Sequence, residues 1–150
     1  MVRIHDRPFR LPGLSRNGAT TYARAVATLG ELMTEDVLTV APEDTLGEAA
    51  AKMTERGIGA VIVSDFGRMI GILSERDIMR AVADRIHSSE ARVREWMTAD
   101  PITATADTSP EEAGRIMLEH GFRHLPVVEG ERAIGIVSIR DLIEQQLKSS

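Results

Sequence analysis

The sequence predicts an α/β chain of the α+β type: two β-α-β-β-α repeats packed sheet-to-sheet with pseudo-twofold symmetry. Internal duplication is the first observation behind this. Residue i matches residue i+64 without a gap. MTEDVLT (Met33–Thr39) lies over MTADPIT (Met97–Thr103), GEAAAKMTERG (Gly47–Gly57) over EEAGRIMLEHG (Glu111–Gly121), and GRMIGILSERDI (Gly67–Ile78) over ERAIGIVSIRDL (Glu131–Leu142). Eighteen positions between 31 and 79 are identical to their counterparts, against about three by chance. The second observation is the alternation of helical and strand patterning inside each copy. The third is size. One copy of about 50–60 residues makes a marginal core, so two copies docked through their sheets would cover what each leaves open.

The elements follow in order. Residues 1–30 lie outside the repeat. His5–Gly18 carries Pro8, Pro12, Gly13 and Gly18 and is expected to be irregular, and Thr20–Leu32 is expected to be helical, with Ala25, Val26 and Leu29 as packing positions. The first repeat is placed at 31–90 and the second at 91–150. Leu38–Val40 reads as a short strand. Thr45–Arg56 reads as a helix with Leu46, Ala49, Ala50 and Met53 on one face, a Thr45/Glu48 capping box and Gly57 at its end. Ser109, Pro110, Glu112 and Gly121 repeat the device in the second copy. Buried strands follow at Ala60–Val63 and His124–Val128, then polar turns, then second strands at Met69–Leu73 and Ala133–Val137. Ser74 and Ser138 open the closing helices. Residues 80–94 are expected to continue the first closing helix. Trp96 and Met97 read as core or dimer surface.

Composition narrows the function. Hydrophobic residues make up 43% and charged residues 27%, as in a globular protein with a real core. The net charge of −5 argues against a broad nucleic-acid surface. The chain has no cysteine, hence no disulfide, thiolate metal site or Cys nucleophile. No apolar run approaches a membrane span, and the N-terminus lacks the apolar stretch of a secretory signal, so a cytoplasmic address is expected. His120 and His124 stand four apart, but Gly121 and Pro126 deny them a shared helix, so metal binding is not expected. No serine sits in a nucleophile-elbow context, and an enzyme is not expected.

The order of these motifs resembles the tandem CBS-domain module, also called the Bateman module. The resemblance rests on MTEDVLTV and MTADPITA, RHLPVV at 123–128, and GILSERD and GIVSIRD at 71–77 and 135–141. It spans about residues 31–143. No catalytic domain of the kind such modules regulate fits in the remaining residues, so the chain looks like a stand-alone pair.

Ser74-x-x-Asp77 and Ser138-x-x-Asp141 each end a strand and open a helix. First-turn amides favour an anion such as phosphate, a carboxylate three residues on can accept both hydroxyls of a ribose, and Arg76 and Arg140 offer forked donors. The same pattern is also an ordinary helix cap. The resemblance implies that Ser74 and Asp77, and Ser138 and Asp141, meet the phosphate and ribose of an adenine nucleotide. It implies further contacts from Thr39 and Val40 and from Thr103 and Ala104, which otherwise read as strand formers. It also implies that Arg123 and His124, before Leu125-Pro126, reach the phosphate in the other copy's cleft. The matching residues of the first copy, Gly59 and Ala60, are uncharged, so the two clefts should differ: the cleft of Ser74, Arg76 and Asp77 should suit a phosphorylated ligand, and that of Ser138, Arg140 and Asp141 a less charged group or none. Base recognition should be apolar, from Ile58, Val61, Ile70 and Leu125, with Phe122 the one aromatic residue in a ligand-facing motif.

The leading expectation is therefore a non-catalytic signal-sensing module for an adenine-containing ligand (AMP, ADP, ATP or NAD(H)). It would work as a homodimer through its helices and report to an unknown downstream protein. The alternative is a ligand-free structural or dimerisation module in which the Ser-x-x-Asp pairs only cap helices.

Overall fold

The computed structural model describes residues 27–149. The expected helix from Thr20 falls mostly outside them; its described end is α1, Leu29–Leu32. The first repeat then forms β1 (Thr39–Val40), α2 (Leu46–Arg56), β2 (Ala60–Asp65), β3 (Arg68–Ser74) and α3 (Glu75–Ala83). A short α4 (Val93–Trp96) and β4 (Thr98–Ala99) lead into α5 (Pro110–His120), β5 (His124–Glu129), β6 (Arg132–Ser138) and α6 (Ile139–Ser149). The predicted α+β class is the observed one.

Local chemistry explains the helices that position the site. Thr45 caps α2 with a complete capping box. The Thr45 amide and hydroxyl both donate to Glu48 at 3.1 and 2.9 Å, and hold its carboxyl below its ordinary pKa. Ser109 caps α5 with Pro110 at the first position. Both helices end at a left-handed glycine, Gly57 (φ 66°) and Gly121 (φ 73°), where any side chain would be strained.

α3 does not run on through residues 80–94 as its polar sequence suggests. It closes in a Schellman-type turn, with Arg85 N–H donating to Val82 O at 2.9 Å and Ile86 N–H to Ala81 O at 3.1 Å. Arg85 holds the left-handed position (φ 61°) without being glycine, which is why no glycine announces the stop.

The strands assemble as β1-β2-β3-β4. β1 runs parallel to β2 (Thr39 beside Ile62). β2 is antiparallel to β3 (Ala60 beside Ser74), and β3 to β4 (Gly71 beside Ala99). In the second repeat β5 and β6 form the hairpin, and single bridges stand where β1 and β4 stand in the first: Ala104 with Val127, and Thr34 with Ile136.

Two compact units result, and neither is a contiguous half of the chain. One holds residues 36–102 with Gly130–Ala133. The other holds the described residues before Asp36 with Thr103–Glu129 and the segment from Ile134 onward. Each repeat's leading segment packs with the other repeat's body. In the second unit, Leu29 N–H donates to Thr108 O and Gly30 N–H to Ala106 O at 3.0 and 2.8 Å, and the Met33 side chain lies over Gly135. In the first, Val93 N–H donates to Asp44 O and Arg94 N–H to Pro42 O at 2.8 and 2.9 Å, and Met97 lies over Gly71. Trp96 and Met97 pack on the first unit's core, as one of the two sequence readings had it.

Each unit has its own core. Val40, Leu46, Ala49, Met53, Val61, Val63, Leu73 and Val93 fill the first. Leu29, Ala113, Met117, Leu125, Val127, Val137 and Leu142 fill the second. At about 25 cal/mol per Å² of apolar area, such fully covered side chains supply most of the force that holds each unit together.

Candidate functional site

The two Ser-x-x-Asp motifs occupy equivalent places. Each serine is the last residue of a strand, and each aspartate lies one turn into the following helix. The backbone entering the first strand of each hairpin, β2 or β5, closes against that first turn: Glu75 N–H donates to Gly59 O, and Ile139 N–H to Arg123 O, both at 2.9 Å. Gly59 and Arg123 therefore abut the helix openings of their own repeats.

The motifs differ in how their hydrogen bonds are shared out. In the first, the Ser74 amide and hydroxyl both donate to Asp77 Oδ2, at 2.9 and 3.1 Å, and the Asp77 amide donates to Ser74 Oγ at 3.4 Å. Arg80 Nη2 takes the other oxygen, Oδ1, at 3.0 Å. Asp77 is the sole buried charged residue among those described. A buried carboxylate is stable only when paired, and Arg80 completes that pairing. In the second motif the Ser138 amide donates to Asp141 Oδ2 at 2.7 Å, and the Asp141 amide to Ser138 Oγ at 3.1 Å. Position 144, the counterpart of Arg80, is a glutamate. It accepts from Arg140 Nε at 3.0 Å, and Asp141 is left half-buried with no cation on it among the described residues.

The other sequence-derived residues divide by burial. Thr39, Arg76, Arg123 and Arg140 are exposed; Gly59, Thr103, Phe122 and His124 are half-buried; Ile58 stands at the edge of exposure. Val40, Ala60, Ala104, Leu125 and Pro126 are buried. Leu125 and Val61, expected as adenine platforms, are at most 1% exposed and are spent on the two cores. Ala104 uses both backbone groups in the bridge to β5, donating to Pro126 O at 3.0 Å and accepting from Val128 N–H at 2.9 Å. Phe122 packs on the second core and tilts against His120, with centroids 5.6 Å apart. His120 Nδ1 lies 2.9 Å from Ile116 O, and no group of three or more metal-ligating side chains gathers among the described residues.

Arg80 and Glu144 are the residues that sequence reasoning missed. The signal was present: aligning the repeats sets Arg80 against Glu144, a charge reversal one turn after the conspicuous aspartates. No described helix is long and apolar enough to cross a membrane.

Comparison with known proteins agrees with the duplication. The CBS domain model matches residues 29–84 and 93–148. An uncharacterized 17.7 kDa protein of Acidianus ambivalens is 40% identical over 116 residues, covering 76% of this chain and 70% of its own. The structure of a protein with CBS domains from Burkholderia ambifaria MC40-6 superposes with a TM-score of 0.78 at 34% identity, over 83% of this chain and 96% of its own. The CBS domain protein of Pyrobaculum aerophilum complexed with AMP shares the fold, with a TM-score of 0.72 at 24% identity over 81% of this chain and 98% of its own. With both repeats matched and the fold shared, the chain belongs to the CBS-domain family, as a tandem pair of CBS domains.

Proposed function

We propose that the chain is a non-catalytic regulatory module that binds an adenine-containing ligand, drawn from AMP, ADP, ATP and NAD(H), and passes its occupancy to a partner protein in the cytoplasm. The observation that carries this reading is the Ser138–Asp141 pair: a half-buried carboxylate at a helix opening, with one oxygen held by the Ser138 amide and, among the described residues, no cation on it. A carboxylate so placed accepts sugar hydroxyls, and the helix opening favours phosphate. Thr39 and Thr103, at equivalent positions of the two repeats, are further ligand contacts in this reading. Arg76, Arg123, Arg140 and His124 are the phosphate-side groups of the proposal. A response follows only if the ligand binds one arrangement of the protein better than another.

Thermal unfolding with a panel of adenine compounds tests it. Ligand at one hundred times Kd should stabilise by about 2.7 kcal/mol, a rise of roughly 5–10 °C for a chain of this size. An Asp77→Asn/Asp141→Asn double variant should lose the response. A chain with no shift at millimolar concentration of any compound would instead be a structural or dimerisation module. The reciprocal cap bonds of Ser74 with Asp77 and Ser138 with Asp141 favour that second reading.

The closing helices supply a homodimer surface. α3 exposes Met79 and Val82, 66% and 62% accessible, three residues apart; α6 exposes Ile143 and Leu147, 47% and 69% accessible, four apart. Each pair forms an apolar stripe of the kind a second copy covers. Light scattering should give the mass of a dimer for the native chain and of a monomer for Val82→Glu/Leu147→Glu. A monomeric native chain would remove this part of the proposal.

A further inference from the structure

We propose that Arg80 is a selectivity residue that closes Asp77 to sugar hydroxyls, so that the ribose goes to Ser138–Asp141. This rests on the adenosine reading above and adds to it which motif is used and what decides. A ribose presents two neighbouring O–H donors and needs carboxylate lone pairs that are not already taken. Asp77 has both oxygens engaged. Oδ2 receives the Ser74 amide and hydroxyl and Oδ1 receives Arg80, and only 9% of the side chain is exposed. A sugar there must first break an ion pair to a carboxylate that has little water to fall back on.

Asp141 has no such competitor among the described residues. Its Oδ2 receives the Ser138 amide, and no hydrogen bond reaches Oδ1 among the described residues. The Ser138 hydroxyl accepts from the Asp141 amide and, among the described residues, makes no hydrogen bond to the carboxylate of the kind Ser74 makes. Glu144 cannot imitate Arg80. It draws Arg140 along the helix instead, at 3.0 Å. One reversal of charge at equivalent positions thus separates two motifs that share their serine, arginine and aspartate.

Calorimetric titration of the full chain with AMP as the probe tests this. Asparagine keeps an oxygen for the serine amide but replaces the other acceptor with a donor, so it preserves the cap while removing the sugar contact. Asp141→Asn should weaken the tighter binding event by about tenfold or more, and Asp77→Asn should leave it within about twofold. Arg80→Ala should strengthen binding at the first motif by about fivefold, the upper worth of a half-exposed ion pair. Glu144→Arg should weaken the second motif by a similar factor. Urea unfolding of each variant verifies that it is folded. A tighter event lost in Asp77→Asn and kept in Asp141→Asn overturns this proposal alone, as does an Arg80→Ala variant that titrates like the native chain. Absence of binding in every variant overturns it together with the adenosine reading.

Discussion

Alanine in place of Gly71 is expected to lower the free energy of unfolding by about 3 kcal/mol, the upper end of what one added methyl does in a packed interior. The added Cβ would sit 2.7 Å from Met97 Sδ and 2.8 Å from the Thr98 carbonyl oxygen. The sulfur can swing away. The carbonyl cannot, because β4 is registered on β3 through Gly71–Ala99 and Ile72–Thr98. Relief therefore requires the leading segment of the second repeat to lift from the sheet. The equivalent change, Gly135→Ala, should be milder, about 1 kcal/mol, because the two nearest atoms there, Met33 Sδ and Cγ, can swing away and the third, Met33 Cβ, stands at 3.0 Å. Urea denaturation of both variants measures the difference. Equal midpoints would refute the backbone clash at Gly71. Met33→Ala should rescue Gly135→Ala more completely than Met97→Ala rescues Gly71→Ala, a non-additivity expected of touching residues.

Leu125→Ala should cost about 3 kcal/mol and leave AMP affinity unchanged once the folded fraction is taken into account. The side chain is fully covered in the second core, in a cluster with Leu29, Met117, Val127, Val137 and Leu142. Truncating a leucine in such a place leaves a cavity that the surrounding helices and strands only partly fill. An adenine platform behaves in the opposite way, losing affinity with little change in stability. Chemical denaturation and AMP titration of the same sample separate the two, and a stability loss below about 1 kcal/mol would return Leu125 to the ligand.

The two variants touch features that were unequally legible. Strands and helices could be read because their signals are local. Thr45 with Glu48, Ser109 with Pro110, and the glycines at 57 and 121 each state where a helix begins or ends within four residues of chain. The stop after Ala83 was hidden because an arginine, not a glycine, takes the left-handed position. The exchange of leading segments was hidden for a deeper reason. Met33 and Met97, and Gly135 and Gly71, are pairs of identical residues at identical places in the repeat. A pattern that is the same in both copies cannot say which copy it packs against.

The site shows the same division. The amino-acid order by itself determined the duplication, the α+β class, the serines and aspartates at strand-to-helix junctions, and the absence of thiol chemistry, since all of these depend on residue type and short-range spacing. Tertiary structure decided that Leu125, Val61 and Ala104 belong to cores and ladders. It also decided that Asp77 is buried and bound to Arg80, while Asp141 stands half-open beside an Arg140–Glu144 pair. Burial and the sharing of hydrogen bonds among competing donors depend on which groups the fold brings together, and a 64-residue repeat carries no record of that.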